Sequence, residues 1–395
     1  MQRKQRLARG SPFGCAHACF ATPDRRILAP MMRSLSTWGM ALLLLAGAHG
    51  LARADMTEAP SVSLTPLSPS GDARVLRIYS SLDAKIAAPL LSAFQATRPG
   101  IGIDYFELQT QDIYARIIEE SDEAGLTADL AYSSAMDLQV KLANDGYAQS
   151  VRLPNAGALP EWAQWRDTVY GTTFEPAVIL YHKPSFLKSE PPRTRPDFAA
   201  YLKSREAETY GRVGTYDVER AGVGLFFLAR DREHNREIWD LFNALGASGV
   251  KLYSNSSAIV ERVADGRFVL GYNILGSYAS AWARTDPDLG IVLPEDYTVV
   301  MSRTALVPRN AAAPDLGAAF LDFLVSREGQ KVIAEQVGLP VLHPDLDGEN
   351  TANAMRRAFG SRLRPIPVGP ALVVYLDQVK RNRLIERWNR ALKVQ

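Results

Sequence analysis

Cysteine is almost missing from this chain of 395 residues: Cys15 and Cys19 are the only two. Both precede the one pronounced apolar run, residues 38–48. Arg33 stands ahead of that run, and Ala52-Arg53-Ala54 follows it. A charged start, an apolar centre and a small-x-small site before Asp55 make an export signal. Cleavage there leaves no cysteine, which excludes disulfides, thiol catalysis and thiolate-bound metal. With no cysteine after the run, a lipoprotein anchor is not expected either. Cys15-x-His17-x-Cys19 has ligand residue types, but it falls in the removed part and is read as chance. Residues 1–30 are rich in Arg and poor in acids, and Met31 or Met32 would make a more ordinary start.

Long apolar runs are missing as well. The run at 38–48 holds about 11 residues, whereas a bilayer-spanning helix needs about 20. Histidine is scarce: only His182, His234 and His343 follow the cleavage site, and they form no metal-spaced cluster. There is no Gly-x-Ser-x-Gly elbow, Walker loop or His-Glu-x-x-His. Gly222-Val223-Gly224 lacks the third glycine of a dinucleotide fingerprint. No enzyme, resident metal or cofactor is therefore expected. A basic excess is missing too once the leader is set aside. Residues 1–54 hold eight Lys or Arg and one acid; the remainder has 37 basic and 42 acidic residues, a net charge of −5. Nothing points to nucleic acid, and any anion must be held by local groups.

What is present is alternation of strand and helix patterns. Residues 55–72, rich in Pro, Ser and Thr, read as a flexible leader. Residues 75–79 read as a strand, and Ile86, Leu90 and Phe94 share one helix face. Pro99-Gly100 ends that helix. Strands follow at 101–106 and 130–132, and helices near Tyr114, Ile117 and Ile118 and at 136–144. A long strand-like run spans 172–181. A second series has strands at 212–216 and 268–272 and helices at 222–229, 236–245 and 258–264. Residues 297–301 and 305–307 return to β, and 311–336 reads as one helix burying Phe320, Leu321, Phe323, Leu324, Val332 and Ile333. Such alternation predicts an α/β fold. About 341 residues after the cleavage site exceed one compact domain and suggest two lobes. In the last segment Pro365, Pro367 and Pro370 precede a helix. Leu372, Leu376, Leu384, Trp388 and Leu392 lie near one face, and the favoured reading is a packed helix with a solvated basic face.

Two segments stand out. Residues 76–81 and 129–134 each end a short apolar strand in two serines, Ser80-Ser81 and Ser133-Ser134, and each then enters a helical pattern. Hydroxyls and helix N-terminal amides thus meet at the carboxyl ends of strands, where ligands bind and anions are favoured. Ordinary N-capping is the competing reading. Behind an export signal, the doubled pattern suggests a secreted receptor for a small molecule.

The order of the segments 76–81, 128–134, 172–183, 212–215, 253–266, 272–278 and 326–342 resembles the bacterial periplasmic solute-binding proteins of ABC importers. The nearest branch holds ferric-iron, phosphonate, sugar-phosphate and phosphoglycerate-related binding proteins. The resemblance covers about residues 75–346. It implies a two-lobed periplasmic-binding-protein type II fold with two crossing hinge segments, near 172–181 and 295–301, and ligand in the cleft. The expected division is extension and signal at 1–54, leader at 55–74, lobe one from 75–180 with 296–346, lobe two from 181–295, and a helical extension at 347–395.

The resemblance also assigns the site. Ser80, Ser81, Ser133 and Ser134 offer hydroxyls and amides from lobe one, with at least one serine of each pair in the cleft. Thr215 and Gly222 do so from lobe two, where relatives hold phosphate-type oxygens through a Ser-Gly-Ala-like turn; this chain has Ala221 in the serine slot. Arg220 supplies a counter-charge, or is a surface arginine beside Glu219. Asn255 matches an asparagine before a helix, or is a plain cap. Tyr272, Asn273, Ser277 and Tyr278 follow the last strand of lobe two and contact the ligand, unless the tyrosines pack in the core. Glu175, in the first crossing, takes an amine or sugar hydroxyl, or pairs with a lysine. Iron-binding relatives carry two adjacent tyrosines in this last stretch, plus His or Glu ligands near Asp83 and Ser134; neither is matched, so ferric iron is disfavoured. The expectation is a monomer in the periplasm that delivers a small anion (a phosphonate, phosphate ester or carboxylate) to an ABC permease. The alternatives are an accessory sensor acting on a membrane histidine kinase, and a ferric-iron carrier.

Overall fold

The computed structural model describes residues 59–68, 74–123 and 125–393. The export signal and its cleavage site lie outside them. Two sheets carry the fold, as the alternating pattern predicts.

The first sheet takes strands β1 (Val62–Leu64), β2 (Arg74–Ser80), β3 (Ile101–Glu107), β4 (Leu130–Ser133), β5 (Gln164–Trp165) and β6 (Val169–Gly171). The second takes β7 (Glu175–His182), β8 (Val213–Tyr216), β9 (Lys251–Tyr253), β10 (Leu270–Leu275), β11 (Leu289–Val292) and β12 (Thr298–Met301). β13 (Thr304–Leu306) returns to the first sheet and β14 (Leu363–Pro365) to the second. The orders are β1-β3-β2-β4-β13-β6-β5 and β14-β12-β7-β10-β8-β9, with β11 also on β7. β2, β3 and β4 run parallel, so helices must carry the chain between them. Helix Ala84–Thr97 does so between β2 and β3, burying Ala87, Leu90, Leu91 and Phe94.

The chain passes between the sheets at residues 172–174 and 302–303. These passages are joined side by side: Thr172 N donates to Arg303 O at 2.9 Å, and Arg303 N donates to Thr173 Oγ1 at 2.7 Å. The long apolar runs flanking them belong whole to the second sheet. A continuous β pattern gives no sign of where a strand changes sheets, so the sequence places each crossing more broadly and farther into the run.

Other details depart from the sequence reading for local reasons. Val62–Leu64, within the supposed flexible leader, pairs antiparallel with β3; three residues are too few for a pattern to show. The helix expected over 311–336 breaks at Ser326. That hydroxyl accepts from Gly329 N at 3.0 Å and starts a new helix, Arg327–Val332, after Pro314–Val325.

The C-terminal segment forms a strap. β14 pairs with β12, Val368 N donates to Trp162 O at 2.7 Å, and Leu372 is buried in the core that the first sheet shares. Helix Gln378–Leu392 then packs on helix Ile238–Ala247 through Leu384, Trp388 and Ala391, with the Trp388 and Phe242 rings 4.8 Å apart. Lys380, Arg383, Arg387 and Arg390 are exposed, as the packed-helix reading has it. Gly246 lies where a Cβ would overlap the Ala391 carbonyl oxygen. Gly246→Ala is therefore expected to lower stability by about 1–3 kcal/mol, read as a fall in melting temperature. An unchanged melting temperature would show that the two helices do not meet there.

Candidate functional site

A cavity of about 150 Å³ lies between the two sheets. Ser81, Asp83, Glu107, Leu108, Gln109, Thr110 and Ser134 line it from the first sheet's side, and Val223, residues 254–257, Leu275 and Tyr278 from the second's. The carboxyl ends of β2, β3, β4 and β10 all point to it. Helices Ala84–Thr97, Thr110–Asp122, Met136–Asn144, Gly222–His234, Ser256–Ala264 and Gly276–Ala283 begin on or beside its wall. Six N-terminal ends converging on one cavity give it a positive backbone potential.

The strand-end serines divide by role. Ser80 and Ser133 are buried, and each accepts from the amide two residues on: Leu82 N at 3.1 Å and Ala135 N at 3.2 Å. They hold the turns. Ser81 and Ser134 face the cavity, their hydroxyl oxygens 3.3 Å apart. Ser81 Oγ accepts from Ser134 N at 3.1 Å and from Arg303 Nη1 at 3.1 Å.

Arg303 is the residue that sequence reasoning missed. It sits in the second passage between sheets and is wholly buried. Its Nε is 3.6 Å from Glu175 Oε1, while Nε and Nη2 make no hydrogen bond among the described residues. Burial works most strongly against its charge, but Glu175 together with the oxygens of Tyr278, Tyr132 and Tyr105 holds the guanidinium above its ordinary value. Glu175 in turn accepts from Thr173 Oγ1 at 2.7 Å and from Ser277 Oγ. The signal in the sequence is a single charged residue between the two β runs at 297–301 and 305–307.

Asp83 spans the cavity. It stands at the N-cap of its helix yet makes no side-chain cap bond, while Glu107 Oε2 accepts from the Ala84 amide at 2.8 Å. Asp83 accepts instead from Tyr278 OH at 2.8 Å and Ser257 Oγ at 3.1 Å, both on the opposite wall. Burial lifts the Tyr278 phenol well above its ordinary value, so it stays a neutral donor. Gly222 N donates to Thr110 Oγ1 at 3.1 Å, again across the two walls. A Cβ at Gly222 would press on that hydroxyl and on Leu138.

Of the residues expected at the site, Ser81, Ser134, Asn255 and Tyr278 line the cavity; Asn255 is also the cap it was read as, accepting from Ala258 N at 2.9 Å. Ser80, Ser133, Glu175, Ser277 and Gly222 form the layer behind. Thr215, Tyr272 and Asn273 lie elsewhere, around a separate void of about 10 Å³. Tyr272 OH donates to Asp231 Oδ2 at 2.7 Å, beside the buried Arg195–Asp231 ion pair, and Thr215 Oγ1 donates to Tyr272 O at 3.1 Å. The register of β10 shifts between Gly271 and Ile274, and Asn273 has φ of +58°. β10 runs on to Leu275, so Tyr272 and Asn273 lie inside the strand and not beyond its end, where the sequence places them. Arg220 is exposed, 3.8 Å from Asp217, and outside the cavity. Among the described residues no three His, Cys, Asp or Glu side chains cluster as a metal site.

Two α/β lobes, two adjacent passages between them and a polar cavity at the strand ends define a two-lobed binding protein. The bacterial extracellular solute-binding protein model matches residues 76–336, so the chain belongs to that family. The crystal structure of the substrate-binding protein of the ABC transporter from Agrobacterium tumefaciens is 56% identical, with TM-score 0.81, covering 84% of this chain and 98% of that one. Two more distant structures share the fold. The periplasmic binding protein AfuA from Actinobacillus pleuropneumoniae, with fructose-6-phosphate bound, is 16% identical with TM-score 0.69, covering 82% of this chain and 100% of that one. Iron-bound HitA from Pseudomonas aeruginosa is 18% identical with TM-score 0.63, covering 80% and 99%. No curated protein matches the chain by sequence at a significant level.

Proposed function

We propose that this protein is the periplasmic receptor of an ABC importer. It binds a small anionic solute (a phosphonate, phosphate ester or carboxylate) between its lobes and hands it to an inner-membrane permease. The reading places export ahead of Asp55, lobe one on the first sheet, lobe two on the second, and the hinge at residues 172–174 and 302–303. The similarity to the Agrobacterium transporter protein supports the class. One arrangement carries the anion: Ser81 receives hydrogen bonds from Arg303 and Ser134, within a wall built of helix N-termini.

The hydroxyl chemistry is directional. Ser81 Oγ already accepts two donors, so its own proton is left to give, to Ser134 Oγ or to a ligand oxygen. The charged guanidinium behind it strengthens that donation. A hydrogen bond to a charged oxygen contributes about 1.5–3 kcal/mol. Ser81→Ala is therefore expected to weaken anion binding by roughly ten- to a hundredfold, measured by calorimetry with ligand first identified by native mass spectrometry of periplasmic protein. Unchanged affinity, or tight binding of neutral sugars or bare cations alone, would defeat the anion reading.

A further inference from the structure

The charged side chains lining the cavity are Asp83 and Glu107, both acidic, and among the described residues no lysine or arginine lines it. Arg303 lies one layer back, behind Ser81, and is occupied with Glu175. Among the described residues neither Asp83 nor Glu107 is in an ion pair. They adjoin one another, because Glu107 holds the amide of Ala84, the residue next to Asp83. Asp83 receives only hydroxyl donors, Tyr278 and Ser257. Two of its roughly four acceptor positions are thus taken. The cavity therefore has two chemically opposite ends. At the Ser81–Ser134 end a hydroxyl proton and helix amides seek an acceptor. At the Asp83–Glu107 end two carboxylates seek a donor.

We infer that the ligand is a small zwitterion, with an oxyanion at the Ser81–Ser134 end and an ammonium group at the Asp83–Glu107 end. This rests on the anion-binding reading above and narrows it. A ligand carrying negative charge alone would sit in a 150 Å³ cavity facing two carboxylates with no lining cation. Like charges at such short range oppose binding. An ammonium reverses the sign of that interaction and makes charge-assisted hydrogen bonds to the free positions of Asp83. The charge of the buried Arg303, one layer behind Ser81, favours the oxyanion at that end. The cavity is smaller than the pockets that take drug-sized ligands, so the two charged groups lie only a short chain apart.

The test is titration calorimetry with matched pairs of probes. ω-Amino phosphonates and ω-amino carboxylates with short methylene spacers are compared with the same acids lacking the amine. At least one amino member should bind about tenfold or more tighter than its partner. In Asp83→Asn that preference should fall towards unity; Glu107→Gln, at an exposed position, provides a second variant should Asp83→Asn fold poorly. Acids without the amine binding as tightly as their amino partners would overturn the zwitterion and leave the anion reading standing. Failure of both series to bind, with a neutral sugar binding instead, would overturn both.

Discussion

Arg303→Met is expected to remove ligand binding and to cost about 3–5 kcal/mol of stability. Removing one partner of a buried ion pair strands the other charge. Here the stranded group is Glu175, which is wholly buried and would retain only Thr173 and Ser277 as donors. Calorimetry measures the first effect and urea unfolding the second. The double variant Arg303→Met with Glu175→Gln separates them. Without a buried charge it should recover much of the lost stability, yet bind no better, because Ser81 has lost the donor behind it. If the double variant recovers binding as well, Arg303 serves the hinge alone.

Stability should also fall as pH rises, through Asp137. This residue begins helix Met136–Asn144 and is 3% exposed. It borders a second cavity of about 350 Å³ whose wall includes Asp112, Tyr114, Gly222, Leu225, Leu376 and Arg381. Burial pushes its carboxyl up to about 7, although the Leu138 amide and the charges of Arg230 and Arg381 pull it down. The folded protein thus keeps this proton to about pH 7, while the unfolded chain gives it up near 3.8. A raised carboxyl favours folding below the unfolded value. The advantage is lost between pH 4 and pH 7 and stays lost above. The size is about 2–4 kcal/mol. His234 works the other way, since burial lowers its value and stability from that group rises with pH. Comparing wild type with Asp137→Asn in urea at pH 5 and pH 8 isolates the carboxyl. Equal slopes in the two proteins would mean that Asp137 is hydrated through the cavity.

The sequence carried the fold further than the site. Strand positions, the two series and the serine-ended strands follow from local apolar periodicity, which survives into the structure because each strand buries the faces its pattern marks. Ser81 and Ser134 were legible because a strand-to-helix turn must put its last side chains at the sheet's end. Tyr272 and Asn273 were not, since the local pattern ends the strand at residue 272 whereas pairing carries it on to Leu275 and keeps both residues inside the sheet. Arg303 and Asp83 act through partners at least 50 residues away, such as Ser134 by way of Ser81, Tyr278 and Glu175. No window on the chain contains such pairs.

The strap described above bears on motion. Residues 363–375 leave the edge of the second sheet, bond to Trp162 and bury Leu372 against the first sheet's core. A body held by two adjacent strands can bend and twist about them. A third tie removes the twist and leaves one rotation. Fewer open geometries then compete with the shut one, so less of a ligand's binding energy is consumed in ordering the two halves. Release should be correspondingly simple, a single swing that uncovers the cavity along the same side each time.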